Sequence, residues 1–548
     1  MSYFAKIPFI TLRNIIPVNV NPLFYLKNRS PNTFFMGPII DKDIESAILS
    51  LKNCNGVHTI STLVLKESIP VLSEPLSYIF NLCIKQGYFP KELKIGCITP
   101  IYKKGDKCSI ENYRPVCSLS QFSKIFEKVV YKNMMKFILK NKLISDSQYG
   151  FLSNKSTESA LIDFTDYIHQ GLSKHSNVGS VFMDLSKAFD VMTHSILKTK
   201  LEHYGFRGNF LIFLMNYLKD RKYFVCANGF NSATKICNIG VPQGSTLGPL
   251  FFLLYINDIV NSSNLLKFIL FADDTTILYK SSDIIHLNNI LSSEINKVIT
   301  WFAANKLAIN LSKTHSMLFS NKRGNPRLNI KLQNIIIKEK DVVTFLGVEV
   351  DNKLSWKNHI NHICNKISKS IAIIRILRFT FPKHILIMLY MSLIYSYINY
   401  CNVIWGSADE CHLKPLLVLQ KKALRMITNS NFRDASAPIF YGLKLLPISE
   451  VFDLNCLKFL YKCLKDDRFP TLRKRILDNN TCHNHETRYK SLLNPPFARL
   501  HICRKAYLNH SIYLWNNLNS SVQESTSLHS FKFKIKQILL DKIKPSEL

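Results

Sequence analysis

Asp184, Asp273 and Asp274 are the residues of this chain whose type and spacing could do chemistry. Asp273-Asp274 sits within Phe268-Ile-Leu-Phe-Ala-Asp-Asp-Thr-Thr-Ile-Leu-Tyr279, where two runs suited to β-strands meet at an acidic pair, the pattern of a tight hairpin. Aspartates beside so much apolar surface cost stability unless their charge is compensated, and a bound cation does that. Alone, the pair reads equally well as a plain turn that uses Asp. Asp184 decides the matter: it stands at the C-terminal end of Val178 to Leu185, which also predicts a strand. Three carboxylates on adjacent strand ends can hold two Mg²⁺ ions. Two metals about 4 Å apart stabilise both the attacking and the leaving oxygen of an in-line phosphoryl displacement.

The chain behind these residues has 548 residues and 47% hydrophobic content, room for about three or four domains with sizeable cores. Lys and Arg number 71 against 38 Asp and Glu, a net charge of +33 that calls for a polyanionic partner. Nucleic acid comes first and an anionic membrane surface second. Fourteen cysteines without a repeated spacing predict a reducing, intracellular compartment. Met1 to Val20 lacks the continuous apolar core of a signal peptide. Ile385 to Ile404 carries no charge, but Ser392, Ser396, Asn399 and Asn402 interrupt it, which predicts a pair of buried helices and no membrane partner.

Residues 1 to about 35 show no clear periodicity and read as a loosely ordered lead-in. Helical periodicity begins at Asp41 and continues from Leu63 to Gln86, followed by a β-like run from Ile95 to Ile101. An amphipathic basic helix is expected between Phe122 and Leu143, and a capped one from Glu158 to His169. Gly240 to Pro249 is loop chemistry that opens into an apolar helix, Leu250 to Ile259. Ile285 to Asn305 predicts a helix, Val342 to Val350 a strand, and residues 357 to 430 a mostly helical, basic segment.

The ordered motifs resemble the reverse transcriptases of non-LTR retrotransposons, of the LINE type and closest to the jockey-like group. The matching stretches are Thr99-Pro-Ile-Tyr-Lys-Lys-Gly-Asp106, Asn112-Tyr-Arg-Pro115, Lys124-Ile-Phe-Glu-Lys128, Gln148-Tyr-Gly-Phe151, Met183-Asp-Leu-Ser-Lys-Ala-Phe-Asp190, Gly240-Val-Pro-Gln-Gly-Ser-Thr-Leu-Gly-Pro249, Phe271-Ala-Asp-Asp274, Asn310-Leu-Ser-Lys313 and Phe345-Leu-Gly347. They stand in the family's order. Leu152 departs from it, standing where the family often places Arg.

The resemblance implies that Asp184, Asp273 and Asp274 bind two Mg²⁺ so that a primer's 3′-hydroxyl attacks the α-phosphate of a dNTP. Asp273 is then the better-placed ligand of the adjacent pair, because neighbouring side chains point apart. Phe189 matches the steric gate that collides with a ribose 2′-OH. Lys103 and Arg114 fall where fingers residues reach the triphosphate, and their charge there would offset the charge building on pyrophosphate. Gln243 and Gly244 resemble the motif against the nascent base pair, where glycine permits close approach. Lys313 is similar to the lysine proposed to protonate pyrophosphate, and Phe345, Leu346 and Gly347 resemble the primer grip. Cys482, His483, His485, His501 and Cys503 fit no standard zinc spacing.

The implied fold is α+β, a polymerase right hand: after the lead-in at 1–35, fingers with an N-terminal extension at 36–175, a palm with an antiparallel sheet at 176–350 and a helical thumb at 351–440. A mainly helical basic C-terminal region follows at 441–548. The implied activity is RNA-directed DNA polymerisation, with an RNA template, a DNA primer or target and dNTPs as partners. Lys366, Lys369, Arg375, Arg378, Lys421, Lys422 and Arg425 are expected along the duplex track. Some 90 residues precede the first firm motif, so the endonuclease expected in such elements is assigned to something outside this chain, alongside other ribonucleoprotein components. The expected location is intracellular, in the nucleus and/or cytoplasm. The alternative is a truncated or degenerate element product that binds nucleic acid without polymerising.

Overall fold

The computed structural model describes the chain except residues 1, 14, 16, 53–59, 323–325, 333–334, 466–471, 474–475, 477–491, 497 and 545–548. Two principal sheets frame a cleft. In the first, β1 (Ile95–Tyr102) and β2 (Tyr113–Leu119) form an antiparallel pair, β4 (Arg221–Ala227) runs parallel to β1, and β5 (Phe230–Asn231) and β6 (Lys235–Cys237) fold back on β4. The second has the order β7-β8-β3-β9 and is antiparallel throughout, built from β3 (Asn177–Met183), β7 (Lys267–Phe271), β8 (Asp274–Ser281) and β9 (His315–Phe319). Two small hairpins follow, β10 (Lys331–Leu332) with β11 (Ile335–Ile336), and β12 (Val342–Phe345) with β13 (Val348–Asp351).

The chain therefore visits the first sheet, builds β3 of the second, and returns for β4 to β6. Residues 221–237, from the stretch 176–350, join the sheet of β1 and β2, from the stretch 36–175. Local pattern cannot announce this, because the partner of β4 lies more than a hundred residues earlier in the chain.

β3 is buried at every position, as a central strand covered on both faces must be. Its side chains divide with period two: Val178 and Phe182 pack with Phe164, Phe319 and Phe345, whereas Val181 and Met183 join the core of Leu287, Leu291, Ile295 and Val298. One face thus meets helix Thr157–Ser173 and the other helix Ile284–Ala304. Gly179 makes the second packing possible, since a Cβ there would lie 2.4 Å from Leu291 Cδ1.

Three expectations change. The lead-in is not loose: Ser2–Arg13 is a helix whose Phe4 and Ile7 pack with Ile98, Cys117, Leu119 and Tyr223 of the first sheet. Further on, Ser30 and Phe34 donate their N–H groups to His203 and Gly205 carbonyls. Residues 342–350 are a hairpin and not one strand, because Leu346 and Gly347 both take positive φ (47° and 81°), the geometry of a two-residue turn that matches strand twist. In the uncharged run 385–404 helical structure continues to Asn399, with Met391–Tyr395 wound as a π-helix, and resumes at Asn402–Trp405 after extended Tyr400 and Cys401 at φ 48°. The two helical segments are there, but the first, with Met388 and Met391 exposed, is not buried throughout. Among the described residues no helix is long and apolar enough to cross a membrane.

Candidate active site

Strand register brings the acidic residues together. Met183 pairs with Thr275, so one step further Asp184 faces the start of β8 at Asp274, while Phe271 pairs with Asp274 across the turn that carries Asp273. On its other side Phe182 pairs with His315, which brings Lys313 alongside Asp184. Lys313 Nζ lies 3.0 Å from Asp184 Oδ2, and the Asn310 N–H donates to the Asp184 carbonyl at 2.8 Å.

These residues share a cleft of about 1080 Å³ with Lys103, Arg114, Phe189, Gln243 and Gly244. The nine residues singled out for catalysis, metal or nucleotide thus meet in one place, coming from both sheets, whereas Phe345, Leu346 and Gly347 are not part of its lining. Enclosure by the cleft pushes the Asp273 carboxyl above its ordinary range; Asp184 adds to this, whereas hydrogen bonding in the turn, Arg114 and Lys103 oppose it. Asp274 reaches cleft water, yet is pushed up to about 6, first by its enclosure and then by the charges of Asp273 and Asp184. The cleft therefore sets mutually repelling carboxylates against exposed cations, Lys103, Arg114 and Lys313 among them.

Among the described residues no three His, Cys, Asp or Glu side chains are gathered closely enough to hold a metal ion by themselves. The donor set still fits Mg²⁺, a hard cation that takes oxygen ligands and is usually bound by one or two carboxylates together with substrate phosphates, not by an all-protein cage.

The surroundings are built to match. Phe189 lies between Phe252, 4.7 Å away and tilted, and the edge of Phe151 at 6.4 Å, so its ring is braced from two sides. Gly244 has φ 127°, and a Cβ there would come 2.3 Å from the Cys117 carbonyl oxygen, which only glycine tolerates. The Cys117 N–H in turn donates to the Gln243 carbonyl at 2.7 Å, lapping the loop onto β2. Tyr400 donates its hydroxyl to the Leu346 carbonyl at 2.7 Å, so the Phe345-Leu346-Gly347 turn is tied to the helical segment beyond it.

Residues 101–350 match the family model described as reverse transcriptase (RNA-dependent DNA polymerase). This stretch is a reverse transcriptase domain. Over 428 residues the chain is 27% identical to a probable RNA-directed DNA polymerase from transposon BS of Drosophila melanogaster, covering 75% of this chain and 47% of the relative. It is 26% identical over 413 residues to the RNA-directed DNA polymerase from mobile element jockey of the same organism, covering 73% and 44%. The chain thus spans about half the length of these curated relatives. A solved structure of apo telomerase from Candida tropicalis, truncated from its C-terminal domain, matches with a TM-score of 0.33 at 13% identity, over 48% of this chain and 54% of that one. A likeness that loose adds nothing to the fold.

Sequence reasoning overlooked several parts of the reverse transcriptase cleft. Ile10, Thr11, Ile15 and Val18 wall part of it, from a segment expected to be loose. Glu127 is fully buried, accepting from the Tyr217 hydroxyl at 2.8 Å and the Thr246 N–H at 2.6 Å, and so anchors the start of helix Leu247–Ile256 just beyond Gly244. Burial pushes its carboxyl upward against the pull of Arg221. The Lys124 to Lys128 motif contained it, but nothing local marks one of its residues as buried.

Of the basic residues expected on the duplex track, Lys366, Lys369 and Arg375 are exposed along helix Lys357–Leu377. Arg425 is turned differently, donating through Nε and Nη2 to the Asp434 carbonyl at 3.2 and 2.7 Å. Cys482, His483 and His485 lie outside the described residues; Cys503 is buried.

Proposed function

We propose that this chain is an RNA-directed DNA polymerase of a non-LTR retrotransposon, extending a DNA primer on an RNA template by two-metal nucleotidyl transfer. The observation that carries this reading is the convergence of Asp184, Asp273 and Asp274 opposite Lys103 and Arg114 in one cleft. Asp184, Asp273 and Asp274 would hold two Mg²⁺, which when bound would supply stabilisation of the charge that develops in phosphoryl transfer. Lys103 and Arg114 bind the triphosphate of the incoming dNTP and neutralise charge on departing pyrophosphate. Phe189 excludes a 2′-hydroxyl, Gln243 and Gly244 pack at the nascent base pair, and Lys313 Nζ supplies a proton to the leaving group. The Phe345 to Gly347 turn holds the primer end, and Lys366, Lys369 and Arg375 track the duplex backbone. The protein acts inside the cell as part of a ribonucleoprotein.

The test is extension of a primed RNA template with dNTPs and Mg²⁺, run beside Asp273→Ala. Incorporation by the wild type and its loss in the variant are expected. Equal incorporation by both, or none by the folded wild type, would leave binding without polymerisation as the better account.

A further inference from the structure

The loop that carries Gln243 is fixed by its backbone. Val241 donates its N–H to the Phe189 carbonyl and Gly240 to that of Met192, both at 2.9 Å. A Cβ on Gly240 would lie 2.5 Å from the Asp190 carbonyl oxygen, so the two segments touch along their main chains. His194 Nε2 stands 2.8 Å from the Gly240 carbonyl, and Cys117 closes the far side. A side-chain strut at position 190 is not needed to place this loop.

Asp190 nevertheless spends its carboxylate there. Oδ1 accepts from Gln243 Nε2 at 2.7 Å, while Oδ2 is out of solvent and has no hydrogen-bond partner. A buried, half-satisfied carboxylate is unfavourable for folding, which points to a role in what Gln243 presents. A glutamine amide is two-sided, with a carbonyl that accepts and an NH₂ that donates. An ionised carboxylate can only accept, so it takes the NH₂ end and leaves the other end free. Burial pushes the Asp190 carboxyl up to about 6, against the hydrogen bond from Gln243 and the charges of Lys187 and Arg114, so it is ionised at neutral pH. Asp190 and Gln243 both line the cleft.

We propose that Asp190 is a positioning residue that fixes the Gln243 amide with Oε1 toward the cleft, so that the site offers the incoming nucleotide a hydrogen-bond acceptor and selects a donor on it. This rests on the cleft being the nucleotide site of a polymerase. Asp190 touches no substrate; it acts through Gln243.

The test is steady-state primer extension with one dNTP varied. Asp190→Leu keeps the branched side-chain skeleton and removes the acceptor: KM for the dNTP should rise about tenfold, the scale of one directed hydrogen bond, with kcat within about twofold. Asp190→Asn retains a carbonyl acceptor and should restore KM to near the wild-type value. Gln243→Leu breaks the same contact from the other side, and the double variant should be no worse than Gln243→Leu alone. An unchanged KM in Asp190→Leu, equal losses in the Leu and Asn variants, or additive losses in the double variant overturn the assignment. Should Asp190→Leu not fold, an unchanged KM in Gln243→Leu overturns it. No incorporation by the wild type overturns the polymerase reading and this assignment together, whereas an active enzyme with unchanged KM overturns only the assignment.

Discussion

Gln148 holds the turn before Asp273 from beneath: its Oε1 accepts the Ala272 N–H at 3.1 Å and the Gly150 N–H at 2.8 Å. Ala272 has φ 56°, a left-handed conformation that costs a residue with a Cβ roughly 1–2 kcal/mol. Tyr149 and Leu270 reinforce the contact through backbone bonds, Tyr149 N–H to the Leu270 carbonyl at 2.7 Å and Leu270 N–H to the Ser147 carbonyl at 2.9 Å. The aspartate turn is thus set by a segment that carries none of the acidic residues.

Gln148→Ala removes the acceptor for both N–H groups and lets Ala272 relax toward an ordinary backbone. Losing buried hydrogen bonds on this scale, about 1–3 kcal/mol, should lower kcat by about tenfold to a hundredfold with little change in primer–template affinity. Gly150→Ala should be at least as harmful, since its Cβ would sit 2.5 Å from Ala272 N. Primer extension and a parallel binding titration check this; unchanged kcat in the folded Gln148→Ala protein would rule the strut out.

Lys313 and Asp184 form a part-exposed pair, with 51% and 36% of their side-chain surface accessible. Such pairs contribute about 1 kcal/mol or less to stability. Lys313→Ala should therefore leave the denaturation midpoint nearly unchanged while lowering kcat. A large loss of stability with kcat retained would make the pair structural.

The fold and site divide by how local their causes are. The hairpin at Asp273-Asp274 and the buried strand ending at Asp184 were legible because apolar patterning and turn residues lie within a few positions of each other. Lys313 was placed by its motif, and the register then explains why it reaches Asp184. The helix Ser2–Arg13 was missed because its two core residues are anchored by Ile98, Cys117, Leu119 and Tyr223, far along the chain. Leu346 was read as mid-strand because leucine is no turn signal, and its positive φ depends on Gly347 and on Tyr400 binding its carbonyl. Gln148, Glu127 and Asp190 stood in quoted motifs, but a buried side chain's partner is a tertiary fact.

The +33 charge, with Lys366, Lys369 and Arg375 exposed on one helix, predicts that duplex affinity is dominated by phosphate contacts. If six or more phosphates are neutralised, affinity should fall about a thousandfold between 50 and 200 mM salt. Replacing Lys366, Lys369 and Arg375 together by Gln should flatten the slope of log affinity against log salt by about two to three. A triple variant with the wild-type slope would remove that helix from the track.

His359 is the place where acid should loosen the junction between the Val342–Asp351 hairpin and helix Lys357–Leu377. It is 3% exposed; Nδ1 accepts the Glu349 N–H at 3.3 Å, its ring meets Trp405 edge-on, and Nε2 is buried without a partner. Burial, then the charges of His362 and Lys366, push its pKa from 6.5 down to about 4. The unfolded chain therefore takes up this proton first on acidification, so the stabilisation is complete above about 6.5 and is lost as pH falls toward 4. Between pH 7.5 and 5.5 the loss should be about 1 kcal/mol. The decisive measurement is thus the difference between wild type and His359→Gln in denaturant unfolding at the two pH values. The wild type should lose about 1 kcal/mol more than the variant, because only it must bury or expel the added charge; equal losses would assign the acid sensitivity elsewhere.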